Sequence, residues 1–380
     1  MQTLPAQAQR RIRSIDALRG LVMVFMMADH VRETFLLHLQ VSDPMDVATT
    51  PAPLFFSRLI AHLCAPVFVF LTGLSAFLYA SRQADDPRAA SSFLARRGLF
   101  LVVLELTVIN FAWTATFPPK VVYLQVIWAI GLSMLALAAL VRLPRAALIV
   151  LGFVIVGGHN LLDGLHFAAG HPLHAVWAVL HDRGWIEVSE TMRLRTSYPV
   201  LPWIGIICLG YACGPWFAQG WAAPDRQRRL LAWAAGALGL FVVLRALNVY
   251  GDRPWVVGAS SGETLMRFLN VTKYPPSLLF AALTLGIGLL LLVLLERRDG
   301  RLAAWLAVLG SAPMFFYILH LYVLQLMARG LLAGGSAPRM DGVWQVWGLT
   351  AVLTLALYPL VRAFARFKAR RRDLAWLKYL

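Results

Sequence analysis

Ten stretches of about 20 largely apolar residues follow one another along the 380-residue chain, and this succession constrains the fold more than any motif does. They lie at roughly 18–38, 54–80, 97–116, 121–141, 146–163, 199–219, 230–249, 275–295, 312–332 and 344–365, each long enough to cross a hydrocarbon core of about 30 Å. Leu302–Leu309, just before the ninth stretch, reads as an interfacial piece or as the start of that span. Hydrophobic residues make up 59% of the chain and charged residues 14%, against roughly 45–50% and about 25% in a soluble domain. Such a chain cannot cover its surface with polar groups. The expectation is an all-α, polytopic membrane bundle of about ten transmembrane helices, a single domain over residues 1–380. Outer loops fall at about 163–197 and 250–273, and a basic tail at about 366–380.

The excess of 35 Lys and Arg over 19 Asp and Glu, a net charge of +16, would suggest nucleic acid in a soluble domain. Here it sorts by loop. With the N-terminus inside, the inner side receives Arg10, Arg11, Arg13, Arg19, Arg82, Arg88, Arg96, Arg97, Arg142 and Arg145. It also receives Arg226, Arg228, Arg229, Arg297, Arg298, Arg301 and the tail from Arg362 to Lys378. That is roughly 23 of the 35 basic residues against about 10 outside, the asymmetry of the positive-inside rule. Both termini are then cytoplasmic, the lipid bilayer is the partner, and no nucleic acid is needed. The short, basic inner loops and the two long outer ones direct attention to the outer face. Cys64, Cys208 and Cys213 all lie in apolar stretches and form no disulfide or zinc pattern. The polar N-terminal segment runs into the first span without an A-x-A-like cleavage site, so that span acts as its own insertion signal.

Ionisable residues inside apolar spans are the informative ones, because each costs several kcal/mol unless paired or wetted. The first span holds two groups of them. Asp16 and Arg19 are spaced i,i+3 at its inner edge, where Ser14 can cap the helix. Asp29, His30 and Arg32 stand about 20 Å further along, at 1.5 Å per residue. An intrahelical Asp29–Arg32 pair accounts for part of this cluster; a histidine general base at His30 accounts for the rest. His38, eight residues beyond His30, falls on roughly the same helical face, so the two rings could line one cavity.

Further along, Tyr198, Pro199, Pro202 and Trp203 open the sixth span in ordinary interfacial fashion. Lys273 and Tyr274, directed by Pro275 and Pro276, could present a cation at a helix mouth to a carboxylate or phosphate, or could snorkel. His320 sits near the middle of the ninth span and needs a partner. Five of the nine histidines cluster as His159, His166, His171, His174 and His181, but no carboxylate or cysteine stands at ligand spacing beside them. The segment HPLHAVWAVLH reads as an amphipathic interfacial helix, and no metal is expected.

Four segments in fixed order, RIRSIDALRGLVMVFMMADH, YPVLPWIGIICLGYACG, KYPPSLLF and SAPMFFYILHLY, give the chain a resemblance to the heparan-α-glucosaminide N-acetyltransferase-like family of transmembrane acyltransferases, over nearly its whole length. The resemblance implies a bundle of ten or eleven helices in a bacterial cytoplasmic (inner) membrane. It implies acetyl-CoA from the cytosol as co-substrate and an amino sugar or other saccharide as acceptor at the outer side. His30, His38 and Asp29 would then be the catalytic candidates, with histidine as base or acyl carrier. Arg32, Arg19, Asp16, Tyr198, Trp203, Lys273, Tyr274 and His320 would contact substrate or CoA, and Arg13, Arg96 and Arg97 could attract CoA phosphates. A homodimer is left open. A transporter or flippase for a saccharide or lipid-linked intermediate, with buried His and Asp relaying protons, is the competing class. It would favour broken helices in two repeated halves, and no such repeat is seen.

Overall fold

A computed structural model describes residues 12–83, 86, 88–218, 221–337, 339–371 and 373–379. Arg10, Arg11 and Arg372, counted in the charge asymmetry, lie outside them. Helix α1 (Arg13–Phe35) is followed by α2 (Ala52–Ala61), which continues through a short break into α3 (Cys64–Ala80). Next come α4 (Ala89–Leu104), a π-helical turn at Glu105–Ile109, α5 (Asn110–Thr114), strand β1 (Val121–Leu124), α6 (Val126–Leu140) and α7 (Arg145–Gly158). The segment after α7 holds α8 (His174–Leu180), β2 (Trp185–Glu187) and β3 (Arg193–Thr196). Then follow α9 (Leu201–Cys213), α10 (Ala223–Leu247), α11 (Ser261–Leu269), α12 (Leu278–Arg297), α13 (Arg301–Ser311), α14 (Pro313–Ala333) and α15 (Val343–Arg370).

Six helical stretches among the described residues are long and apolar enough to cross a membrane: Ala52–Ala80, Arg145–Leu162, Ala223–Leu247, Leu278–Arg297, Pro313–Ala333 and Val343–Arg370. These coincide with six of the ten expected spans, and the chain is a helical membrane protein. The other four take different forms, each for a local reason. Helix α1 is long enough but carries ionisable residues at both ends, so it packs in the interior against α13, α15, α12, α14 and α3 rather than facing lipid. The third stretch is broken by the π turn at Glu105–Ile109. The sixth is a 13-residue helix finished by a 3₁₀ turn, Gly214–Phe217.

The fourth stretch was expected to be helical from 121 and is not. Pro118 and Pro119 bias the chain towards extended backbone, and Val121, Val122 and Tyr123 prefer a pleated surface. They form β1, parallel to β3, which pairs antiparallel with β2. Asn110 clamps that strand through both ends of its amide, to the Val121 carbonyl (3.3 Å) and from the Tyr123 N–H (3.1 Å). Helix α6 therefore starts only at Val126, where Glu105 Oε2 accepts the Trp128 N–H at 3.0 Å and takes the place of a capping side chain. Glu105, an ionisable residue in mid-span, thus has a structural task.

Both long segments that the sequence assigns to the outer side have structure of their own. The helix expected over HPLHAVWAVLH is confined to seven residues, His174–Leu180. In the other segment the buried Arg245 donates to the carbonyls of Arg253, Arg267, Phe268 and Asn270 at 2.6–2.9 Å, which ties α11 to the end of α10. Two further expectations are corrected. Ser14 does not cap α1, whose cap is Ile12, and its hydroxyl is buried without a partner among the described residues. Leu302–Leu309 belongs to a separate helix, α13, and Pro313 opens α14 immediately after it.

The contact between α1 and α13 is backbone on backbone. A Cβ added at Gly20 would stand 1.9 Å from the Leu306 carbonyl oxygen, and one at Gly310 would stand 1.8 Å from that of Asp16. Neither neighbour is a side chain that can swing aside, so the two glycines set how deeply α1 sinks into the bundle. Gly310→Ala is expected to lower the thermal midpoint in detergent by an amount equivalent to ~1–3 kcal/mol. Gly348→Ala, where a Cβ would meet nothing within 4 Å, should leave the midpoint unchanged or raise it.

Candidate functional site

A cavity of about 240 Å³ runs beside α1 from the Arg19 level to the His30 level, 11 residues and so about 16 Å of helix. At one end it is lined by Arg19, Ser75, Arg97 and Lys368, from α1, α3, α4 and α15. Met26, Phe68, Leu101, Ile130, Met134 and Met314 make its middle. At the other end stand Asp29, His30, Tyr198, Lys273 and Tyr317. A passage with cations at one end, an apolar waist and an acid, an imidazole and a lysine at the other suits a long ligand with one anionic end.

His30 is held by a directional relay. His320 Nδ1 lies 2.7 Å from the Phe316 carbonyl oxygen, which can only accept, so Nδ1 carries the proton and His320 Nε2 is an acceptor. His30 Nδ1 lies 2.8 Å from His320 Nε2 and must therefore be the donor. The remaining nitrogen of His30, Nε2, is left with an unshared lone pair on a ring that lines the cavity. Trp113 and Tyr317 meet this ring edge-on, with centroids at 5.1 and 5.8 Å, and His320 lies beside it nearly coplanar (15°), edge to edge across their hydrogen bond. The Tyr317 hydroxyl is buried without a hydrogen-bond partner among the described residues. Tyr317 lines the cavity beside the imidazole, and Trp113 Nε1 is likewise buried without a hydrogen-bond partner among the described residues.

Beside His30 runs a network of carboxylates and cations. Asp29 accepts from Arg32 Nε (3.1 Å) and Nη2 (2.9 Å) with one oxygen and from Arg58 with the other. Arg32 Nη2 reaches Glu33 at 3.3 Å. Arg58 Nη2 and His62 Nε2 each stand 4.0 Å from Asp43 Oδ2. Asp43 Oδ1 takes the backbone N–H of Lys273 at 2.8 Å, while Asp252 takes the N–H and hydroxyl of Thr272 at 2.9 and 2.7 Å. Two loop carboxylates thus fix the backbone that carries Lys273. Burial pushes the Asp43 carboxyl up from its ordinary value, opposed by the Arg58 guanidinium. The Lys273 ammonium lies over the rings of Tyr274 (5.2 Å) and Tyr198 (5.7 Å), and the Tyr274 hydroxyl donates to that of Tyr198 at 3.2 Å.

Of the residues singled out in the sequence, Asp29, His30, Tyr198, Lys273 and Arg19 line this one cavity. His320, Arg32 and Tyr274 lie one layer behind it. Asp16, absent from the cavity lining, meets Arg19 at 3.1 Å; Arg19 also donates to Ser75 and to the Leu71 carbonyl (3.2 Å). Trp203 is fully buried against Tyr198, outside the cavity wall. His38 stands apart. Helix α1 ends at Phe35, so the eight-residue spacing no longer keeps one face, and His38 sits exposed on the 3₁₀ turn Leu37–Leu39.

Sequence reasoning missed Arg58 and His62, although an arginine and a histidine inside the apolar run FFSRLIAHLCAP carried the same signal that singled out Asp29. It counted Lys368 only as tail charge. In the histidine cluster, His174 has its ring nitrogens beside the carbonyls of Phe167 (2.8 Å) and Trp185 (3.0 Å). The fold brings a carboxylate to the others after all: Asp163 stands with His159 and His181.

A family model described as heparan-alpha-glucosaminide N-acetyltransferase, catalytic, matches residues 11–248. The match takes in His30, Asp29, Arg58 and Arg97 and stops short of Lys273, His320 and Lys368. No curated protein matches the chain.

Removing one partner from the buried shell leaves a charge without compensation. Arg58→Ala is expected to destabilise the protein by ~3–5 kcal/mol. Arg267→Ala, which breaks the more open i,i+4 pair with Glu263 at 2.7 Å, should cost under ~0.5 kcal/mol. Thermal unfolding of the two variants side by side in detergent checks the contrast.

Proposed function

The chain belongs to the heparan-alpha-glucosaminide N-acetyltransferase catalytic family, and from that premise we propose that it moves an acetyl group from cytosolic acetyl-CoA to an amino-sugar or other saccharide acceptor across a bacterial cytoplasmic membrane. The observation that carries this reading is the single cavity joining Arg97 and Lys368 to His30, together with the commitment of His30 Nδ1 to His320. With the N-terminus inside, as the distribution of Lys and Arg favours, the Arg19–Arg97–Lys368 end is cytoplasmic and the His30–Lys273 end lies towards the outer leaflet. The cationic end suits the phosphates of CoA. Arg97 supports this role because its Nε has no hydrogen-bond partner among the described residues. The apolar waist suits the pantetheine arm, and the thioester then arrives at His30.

In the proposed chemistry His30 is the acyl carrier. Its Nε2 lone pair attacks the thioester carbonyl carbon, and the Tyr317 hydroxyl donates to the oxyanion that develops there. The C–S bond breaks and CoA leaves as thiolate. The Nδ1 proton shifts to His320 Nε2, which leaves a neutral acetylimidazole on His30 and an imidazolium on His320. The acceptor amine or hydroxyl then attacks the acetyl carbon, His320 returns its proton to His30 Nδ1, and the acceptor's proton goes to solvent. That release balances the proton taken up by the CoA thiolate. The Asp29–Arg32–Arg58 shell holds α1 against α2 around the reacting ring, and Lys273 and Tyr198 stand where an acceptor would enter.

Purified protein rapidly quenched after mixing with labelled acetyl-CoA, without acceptor, should carry one acetyl group on His30. His30→Ala should lose that label and retain less than ~0.1% of the transfer rate, while still binding acetyl-CoA. Arg97→Ala should weaken acetyl-CoA binding ~10–100-fold, the loss of a charge-assisted contact. His38→Ala should behave as the unmodified protein. Label retained in His30→Ala, or lost in His38→Ala, would reverse the assignment.

A further inference from the structure

We propose that His159, Asp163 and His181 form a divalent transition-metal site, zinc by its donor set, which pins the outer β-segment to the end of α7. One ligand atom from each residue lies within 4.8 Å of the others. The His181 Nε2–Asp163 Oδ1 separation is 3.4 Å, as expected for two ligands about 2.0–2.1 Å from one zinc ion at the tetrahedral angle. His159 opens the 3₁₀ turn that ends α7 and Asp163 follows that turn, while His181 comes from the end of α8.

Burial separates this cluster from a chance surface grouping. His159 is 2% exposed and His181 1%, and neither ring nitrogen of His159 completes a hydrogen bond among the described residues. The Pro276 carbonyl faces that ring without meeting bonding geometry. An imidazole hidden from water and left with two unused nitrogens is unfavourable as it stands. An ion on one nitrogen, with the other directed at a carbonyl, would relieve it. The neighbours have the character of outer-shell support. Asp163 Oδ2 takes the Asn160 amide at 2.9 Å, which leaves Oδ1 for the ion. His181 Nδ1 stands 3.5 Å from Asp182 Oδ1, and Trp177 stacks on the ring at 5.0 Å to fix its plane. In the ion-free arrangement His181 Nε2 lies 3.1 Å from the His159 carbonyl; in the loaded one it turns its lone pair to the ion.

Two imidazoles and one carboxylate suit zinc or cobalt, whereas calcium and magnesium require an oxygen set. The Asp163 side chain is 49% exposed, so the ion has a route in and room for water as its fourth ligand. The site also adjoins the mouth of α12: Asn160, one residue after His159, accepts the Leu278 N–H at 2.9 Å, five residues from Lys273. The ion would thus stiffen the turn that feeds the lysine end of the cavity. The proposal is independent of acetyl transfer.

The full-length protein, stripped with chelator and dialysed, is titrated with Co²⁺ and then with Zn²⁺. The expected result is one equivalent of Co²⁺ with the visible absorption of a four-coordinate site, displaced by Zn²⁺, and a rise in thermal midpoint with Zn²⁺. His159→Ala should lose the absorption and the rise. Asp163→Asn, which keeps the side-chain volume and guards against misfolding of the first variant, should weaken binding at least tenfold. His171→Ala, an exposed ring outside the cluster, should change neither. Absence of the four-coordinate spectrum in the unmodified protein, its survival in Asp163→Asn at full affinity, or its loss in His171→Ala would each overturn the proposal.

Discussion

The charges of α1 cannot face lipid, and the bundle is arranged around that constraint. A helix bearing Asp16, Arg19, Asp29, His30, Arg32 and Glu33 is 23 residues long, enough to span, yet each ionisable side chain at depth costs several kcal/mol when unpaired. The chain answers with partners one turn away on α1 itself and with partners from sequence-distant elements. Arg19 is met by Asp16 and Ser75, Asp29 by Arg32 and Arg58, and His30 by His320. The glycine contacts at Gly20 and Gly310 allow the helix to lie deep enough for those partners to reach it. Burying a polar helix fixes its rotation and depth far more tightly than apolar packing would, because every misplacement leaves a charge uncompensated.

That rigidity has a chemical consequence. The same helix lines the cavity over its length, with a cation at one end and the imidazole near the other. The tautomer of His30 is set by a chain of hydrogen bonds that begins at a backbone carbonyl of α14. The ring does not need to select a proton position when a substrate arrives. Its nitrogen not committed to His320 is already the unprotonated one, and His320 stands ready to hold the proton during any step in which His30 becomes electron-poor. The loops between helices serve this arrangement through Asp43 and Asp252, which fix the backbone around Lys273.

How much of this was legible in the sequence followed from which forces were local. Apolar length gave the helices wherever a span faces lipid, and the expense of intramembrane charge picked out Asp29, His30 and His320 before any geometry was known. Three kinds of information were not local. The extended backbone at Val121–Leu124 is stabilised by β3, some 70 residues away, and by the Asn110 amide, so apolar content alone misread it as helix. His38 followed a helical period that stops where α1 stops. The Asp163–His181 pairing depends on a loop fold that no spacing rule encodes. Arg58 is different in kind: its signal was present in the apolar run FFSRLIAHLCAP, and what could not be read was its partner, 29 residues away.

The most direct test is a structure of the protein with a non-hydrolysable acetyl-CoA analogue bound. The account predicts phosphates against Arg97 and Lys368, the pantetheine arm along Met134 and Leu101, and the carbonyl carbon ~3–3.5 Å from His30 Nε2. An analogue whose acyl group lay outside the cavity, or approached His30 from its Nδ1 side with the His320 bond broken, would contradict it.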